Sequence, residues 1–133
     1  MTVDFFAILG LPNENAEQIT NRKDGIGSTT TFQNPALLLL DPCQLPSGIK
    51  PATNSQFVAK IGAPRADLCS IVGMSGGPIL GFRKNADGQL AYWPVAIQSR
   101  WFRDSRIVIG TCVAPVAAEI ERHIEEFLAQ NPK

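Results

Sequence analysis

The chain has 133 residues, which is enough for one domain, and 44% of them are hydrophobic, so a packed core is expected rather than disorder. Twelve basic residues balance twelve acidic ones, which excludes the broad basic surface of a nucleic-acid-binding protein and gives no attraction to an anionic membrane. Eleven glycines and ten prolines favour short strands joined by turns. Neither a membrane span nor a signal peptide is predicted, because apolar runs such as Ala36–Leu40 are short and the N-terminus has no basic leader.

Three cysteines, Cys43, Cys69 and Cys112, are irregularly spaced and form no CxxC motif. An odd number cannot all pair within one chain, which argues against a disulfide framework and against a zinc site. We therefore predict reduced thiols in a cytoplasmic protein, with a single disulfide in a secreted protein as the alternative. The sequence has no phosphate-binding loop and no cluster of metal ligands, so neither a cofactor nor a metal is expected.

The first half of the chain predicts strands separated by irregular segments. Val3–Leu9 is a compact apolar run, Ser28–Phe32 is rich in threonine, and Gln56–Ile61 alternates apolar with polar residues. Ala36–Leu40 is apolar throughout, which predicts a buried strand. The segments predicted to be loops, on polar or proline-containing composition, are 13–27 and 43–55.

The second half predicts a hairpin, one further strand and a helix. Pro78–Phe82 and Leu90–Gln98 flank the turn Lys84–Gly88, in which Asp-Gly supplies the positive φ that tight hairpins require. Ile107–Val113 is the last predicted strand. From Pro115 onward, apolar residues recur at helical spacing on one face. These residues are Val116, Ala117, Ile120, Ile124, Phe127 and Leu128.

These elements predict a single domain over residues 1–133, with strands between residues 3 and 113 and a C-terminal helix at 115–129. The fold class is all-β, because the helix is the only one predicted. About six strands can close into a small antiparallel barrel, which removes exposed sheet edges. The predicted architecture is therefore a six-stranded antiparallel barrel with the helix packed on its outside, apolar face inward.

One motif carries chemical information, the six residues from Gly73 to Pro78 (GMSGGP). A nucleophilic serine needs an exposed hydroxyl on a tight turn, and backbone N–H groups directed at the oxygen that becomes negative during acyl transfer. The glycines allow such a turn and let a substrate carbonyl approach. We predict Ser75 as the nucleophile and the N–H groups of Gly73 and Ser75 as the oxyanion hole. The alternative is a glycine-rich turn between two strands on which Ser75 is merely exposed.

The same residues also fit a G-x-S-x-G nucleophile elbow. Ser75, Asp104 and His123 even follow in the chain order that this second serine-hydrolase template uses. An elbow is followed by a helix, however, whereas Pro78–Phe82 leads into a hairpin. The elbow is therefore rejected.

The motif and its surroundings resemble the trypsin-like serine peptidases, specifically their second, C-terminal barrel. Ser75 stands where that family keeps its nucleophile, Leu90–Ser99 resembles the strand that lines the substrate-binding edge, and Ile107–Val113 resembles the strand that follows it. Phe5–Gly10 resembles the opening strand of that barrel, and the helix from Pro115 resembles the terminal helix. The resemblance implies a chymotrypsin-like barrel, peptide-bond hydrolysis and a polypeptide substrate.

The resemblance also implies two substrate-binding residues. Cys69 would lie at the base of the specificity pocket, where a thiol offers no charge for a lysine or arginine side chain. Ser99 would lie near the nucleophile and bind the substrate backbone. The alternative interpretations are a buried core cysteine and an ordinary serine at the end of a strand.

The chain departs from the family in its general base. The base and its orienting carboxylate come from the family's first barrel, which these 133 residues do not contain. The single histidine, His123, falls on the flank of the helix's apolar face and is predicted to be a half-buried packing residue. Met74 stands where many family members carry an acidic residue. Because a serine without a base is a poor nucleophile, the isolated chain is predicted to be inactive.

The sequence thus leads to two hypotheses, an enzymatic one and a binding one. In the first, the chain is the C-terminal half of a trypsin-like serine peptidase, and the histidine and aspartate come from an N-terminal barrel in the same gene or in another chain. In the alternative, it is a non-catalytic, peptidase-like β-barrel that acts as a protein-binding or scaffold module. In this alternative, a lone half-barrel exposes the apolar face that would meet its other half, which predicts a protein partner or a homodimer.

Overall fold

A computed structural model describes residues 2–13, 16–23, 25–51, 55–62 and 70–132. Within these ranges it contains eight strands and one helix. The strands are β1 (Phe5–Gly10), β2 (Ala16–Lys23), β3 (Ile26–Gln33), β4 (Ala36–Pro42), β5 (Gln56–Ile61), β6 (Pro78–Lys84), β7 (Leu90–Phe102) and β8 (Ile107–Cys112). The helix is α1 (Val113–Gln130).

Six of the strands close into an antiparallel barrel in the order β1-β4-β5-β8-β7-β6, so the predicted barrel is confirmed. β1 closes the barrel by pairing with β4 on one side and with β6 on the other. Closure leaves no barrel strand with a free edge, so the strands satisfy one another's backbone groups. The register shifts at Ile79/Leu80 in β6 and at Gln98/Arg100 in β7. Such irregularities bend strands and redirect side chains.

The core of the barrel is built from residues that alternate along the strands. In β4, Ala36, Leu38 and Leu40 are buried, whereas Leu37 and Leu39 are 51% and 58% exposed. The predicted strand is confirmed, but it is buried only at alternate residues, because no second layer of described residues covers the outer face of β4. The largest fully buried hydrophobic side chains are those of Ile8, Ile71, Met74, Ile79, Val108 and Ile109.

The segment between β1 and β4 forms a separate two-stranded sheet of β2 and β3. The prediction of a loop at 13–27 is wrong, because Ala16–Lys23 pairs with β3 along its whole length of eight residues. Gly25 lies in the connecting turn with a φ of 75°. Every residue of β2 is exposed, so no buried apolar series marks this strand in the sequence. Backbone pairing alone defines it.

The helix begins at Val113, just before the predicted start at Pro115, and ends at Gln130. The predicted inward packing of its apolar face is wrong, because none of its residues is buried. Ile124 and Phe127 are 54% and 64% exposed. The closed barrel fills its own interior, so its core leaves no apolar gap for the helix to complete. In the described part of the chain, no helix combines the length and the apolarity needed to cross a membrane.

Candidate functional site

Ser75 lies at the surface, on the turn that leads into β6. The residue before it, Met74, is 1% exposed and belongs to the barrel core. Two hydrogen bonds close the turn, from Met74 N–H to the Ile71 carbonyl (3.0 Å) and from Gly77 N–H to the Met74 carbonyl (2.9 Å). A buried anchor therefore precedes the exposed serine, and the main chain on both sides of Ser75 is fixed.

β7 holds the same turn from the other side through the main chain of Gln98. Gly76 N–H donates to the Gln98 carbonyl (2.9 Å), and Gln98 N–H donates to the Gly77 carbonyl (3.0 Å). These bonds extend the β6–β7 ladder beyond its pair of Pro78 and Ile97. The serine turn is therefore a continuation of the sheet and not a free loop.

The positions of the motif require glycine for different physical reasons. Gly73 and Gly76 adopt φ angles of 98° and 81°, in the left-handed region that favours glycine. Gly77 is required for space, because a Cβ there would lie 2.6 Å from the Leu9 carbonyl oxygen and 2.8 Å from the Met74 carbonyl oxygen. The sequence indicated the turn, but the close approach of β1 at Gly77 emerges only from the fold.

Asn13 supports the turn at Gly73. Its N–H donates to the Val72 carbonyl (2.8 Å), and a Cβ at Gly73 would lie 2.3 Å from its side-chain Oδ1. Sequence reasoning missed Asn13, because it lies at the start of a segment predicted to be a loop and no motif marks it. The segment after β1 therefore braces the turn opposite β7.

Gly73 and Ser75 carry the two N–H groups that the sequence predicts as an oxyanion hole. Within the described residues, neither N–H donates to a backbone carbonyl, unlike the N–H groups of Met74, Gly76 and Gly77. Acyl transfer requires such uncommitted donors beside the hydroxyl that attacks. Both N–H groups therefore lack an acceptor among the described main-chain carbonyls, and their role as an oxyanion hole stays a prediction.

The side chain of Gln98 is the one polar side chain buried in the described part of the barrel, at 2% exposed. Its Oε1 has no hydrogen-bond partner there. A buried carbonyl oxygen without a donor is unfavourable and calls for an explanation. Sequence reasoning missed this residue, although a glutamine two residues after the inward-facing Ala96 breaks the apolar alternation of β7.

Ser99 lies at the register shift between β7 and β8, and its hydroxyl donates to the Ile109 carbonyl (3.2 Å). It also lines an apolar cavity of about 400 Å³ at the start of α1. The other lining residues are Pro94, Ile97, Thr111, Cys112, Val113 and Val116. Since Ser75 does not line this cavity, the substrate-binding role of Ser99 stays a prediction.

The three cysteines fall in different surroundings. Cys69, predicted at the base of the specificity pocket, lies outside the described residues. Cys43 is exposed, Cys112 is half-buried, and both are free thiols. In the described ranges, no group of three His, Cys, Asp or Glu side chains could hold a metal ion.

His123 is exposed, so the prediction of a half-buried packing residue is wrong. The cause is that α1 does not pack its apolar face on the barrel. The Nε2 and Nδ1 atoms of His123 lie 3.0 and 3.8 Å from carboxylate oxygens of Glu119 and Glu126. Arg122 donates hydrogen bonds to both carboxylates, which raises the pKa of its guanidinium and lowers the pKa of Glu119. His123 thus belongs to a surface charge network on its own helix.

Comparison with known proteins finds no matching family model, no matching curated protein and no matching solved structure. Nothing in these comparisons identifies the chain as a trypsin-like peptidase. The resemblance to that family therefore stays a prediction from the sequence, carried mainly by the serine motif.

Proposed function

We propose that this chain is the nucleophile-bearing half of a trypsin-like serine peptidase, with Ser75 as the nucleophile and the N–H groups of Gly73 and Ser75 as the oxyanion hole. The observation that carries the proposal is the fixed conformation of the turn. An exposed serine and two N–H groups that donate to no described backbone carbonyl are held between Asn13 and the main chain of Gln98. Donors that are fixed in advance need no reorganisation when negative charge develops.

The proposed reaction needs a base from outside these 133 residues. Ser75 Oγ would attack the peptide carbonyl carbon, and a histidine would take the hydroxyl proton and return it to the leaving amine. Water would then hydrolyse the acyl–serine ester. His123 is unsuited to this role, because both of its ring nitrogens lie beside carboxylates of its own helix. The isolated chain is therefore proposed to be inactive until a barrel with histidine and aspartate complements it.

The oxyanion hole can be tested without that base. A thiolate forms unaided near pH 8.5, so the Ser75→Cys variant needs no histidine to attack an activated ester. With the hole in place, p-nitrophenyl acetate should acylate the introduced thiol about 100-fold faster, per thiolate, than the exposed Cys43 in the same molecule. Mass-spectrometric peptide mapping across a pH series measures the rate at each thiol.

A matched control separates the turn from mere exposure. The Ser28→Cys variant places a thiol on the exposed strand β3, away from the motif. We expect it to react at the rate of Cys43. Equal rates per thiolate in the Ser75→Cys and Ser28→Cys variants, with the barrel intact by circular dichroism, would contradict the oxyanion hole and with it the peptidase proposal.

A protein-binding role is the second candidate function, and the exposed apolar residues of α1 favour it. Val116, Ile120 and Leu128 are each about half exposed, although they share one helical face. This role needs no chemistry at Ser75. A chain that fails the thiol experiment but keeps its fold would retain it.

The cytoplasm is the proposed location. Cys43 and Cys112 are free thiols, and free thiols persist in reducing compartments. Alkylation of native protein from cells, followed by mass spectrometry, should find both residues reduced.

A further inference from the structure

The apolar side chains of α1 form a continuous exposed surface, which we call the helix face. Their exposed fractions range from 49% at Val116 to 64% at Phe127. A surface helix of a globular protein ordinarily buries such a stripe against a neighbour. The helix face consists of Val116, Ile120, Ile124, Phe127 and Leu128.

The β2–β3 hairpin carries a second exposed apolar surface, which we call the hairpin face. The pairings Glu17 with Phe32, Ile19 with Thr30, Asn21 with Ser28 and Lys23 with Ile26 put these eight side chains on one side of the ribbon, three of them apolar and five polar or charged. Ile19, Ile26 and Phe32 are 44%, 79% and 53% exposed. The opposite side is polar, with Thr20 and Thr29 hydrogen-bonded through their hydroxyls (3.2 Å). All three large apolar residues of the ribbon therefore lie on one side, and nothing in the described chain covers them.

We propose that a second copy of this chain covers both surfaces. The hairpin face of each copy lies along the helix face of the other, so a two-fold axis generates the same contact twice and closes the assembly as a dimer. Two exposed surfaces of one chain, each carrying the large apolar side chains of its element, are thereby covered together. The proposal involves no residue of the Ser75 turn and does not depend on peptidase chemistry.

The dimensions of the two faces match. The helix has 18 residues and is about 27 Å long, and the strands of the hairpin have eight residues and are about 26 Å long. Each copy contributes one helix strip and one hairpin strip, each about 10 Å wide, for a projected area on the order of 500 Å². Counted on both copies, the contact is about 1,000 Å², which is the lower limit for a specific interface.

The charges favour the hairpin over a second helix as the occupant of the helix face. Glu121 and Glu125 line an apolar groove with Ala117, Ile120 and Ile124, and neither carboxylate forms an ion pair with a described residue. The helix carries four glutamates and one arginine, so pairing two helix faces would bring like charges together. The hairpin face carries one acidic and one basic residue, Glu17 and Lys23, so it brings fewer like charges to the helix than a second helix would, and Lys23 is the residue that can pair with a carboxylate of the groove.

Sedimentation equilibrium of the wild-type chain tests the dimer. At about 100 µM, above the micromolar dissociation constants typical of interfaces of this size, we expect the mass of two chains. Ile120→Glu and Ile26→Glu should each raise the dimer dissociation constant by about 100-fold or more, because each charge enters the apolar contact twice. Both residues are already exposed in the single chain, so the barrel should keep its circular dichroism spectrum.

Matched variants distinguish the proposed contact from others. Thr31→Glu adds the same charge to the polar side of the hairpin and should leave the dissociation constant nearly unchanged. Lys23→Glu should weaken the dimer, and adding Glu121→Lys with Glu125→Lys should restore it. A monomer at every concentration overturns the proposal, as does a dimer sensitive to Ile120→Glu but not to Ile26→Glu. A mass that keeps growing with concentration overturns the two-fold closure.

Discussion

The barrel and the two elements outside it use similar residues with opposite results. In the barrel, every strand has two paired neighbours, and isoleucines such as Ile8 and Ile79 are completely buried. In α1 and the β2–β3 hairpin, Ile124 and Ile26 are 54% and 79% exposed. An amphipathic pattern in a sequence therefore predicts that one face favours burial. It does not predict which surface will cover that face. A closed barrel completes its own core, so a further amphipathic element must find its partner elsewhere.

The largest expected effect is on the free energy of unfolding, when the same isoleucine-to-alanine change is made in the barrel and in α1. Ile79→Ala leaves a cavity in the barrel and should lower the free energy of unfolding by about 2–5 kcal/mol. Ile124→Ala removes an exposed side chain from α1 and should change it by less than about 0.5 kcal/mol in the dilute, monomeric chain. Urea denaturation measures both. Similar losses in the two variants would show that α1 packs on the barrel after all.

The next largest effect is a difference in stability between alanine variants of two adjacent glycines at the rim of the barrel. Gly77→Ala drives a Cβ into two backbone carbonyl oxygens, at 2.6 and 2.8 Å, and should cost about 3 kcal/mol. Gly76→Ala meets no atom within 4 Å and should cost only about 1 kcal/mol, for its positive φ. Thermal and urea unfolding of the two variants compare them. The opposite ranking would mean that β1 does not constrain the turn.

The smallest effect concerns the charge network on α1. Because Arg122 lowers the pKa of Glu119, the network's contribution to folding is present above the ordinary carboxyl pKa and is lost as the pH falls through the lowered value. Arg122→Gln should raise the pKa of Glu119 toward its usual value, as followed by carbon NMR. Arg103→Gln, a control in the β7–β8 loop, should leave that pKa in place. Salt should diminish the difference, since both groups are exposed.

The barrel could be predicted from the sequence because its strands leave local signals. Gln56–Ile61 alternates, and its predicted bounds are those of β5. Asp87-Gly88 marks the β6–β7 turn, where Gly88 has a φ of 80°. β2 could not be predicted, since all of its residues are exposed and only its backbone pairing with β3 defines it. The orientation of α1 could not be predicted either, because packing between elements leaves no pattern in the local sequence.

The candidate site was predictable in its motif and unpredictable in its supports. The serine, the glycines and the turn were marked by composition, because a positive φ and an exposed hydroxyl require particular residue types. The support that Asn13 and Gln98 give to the turn was not marked, because both residues hold it through main-chain atoms that any residue possesses. The role of Ser75 as a nucleophile and the roles of Cys69 and Ser99 in substrate binding stay predictions.

The two main-chain bonds between Gln98 and the serine turn make the conformation of the turn inseparable from the integrity of β7. We therefore expect the turn to have no melting transition of its own. A reporter group placed at Ser75 would sense heat or denaturant only when the whole sheet opens, so its signal would coincide with global unfolding. Replacing the serine would leave the backbone conformation of the turn unchanged, so the turn can present other side chains at the same position.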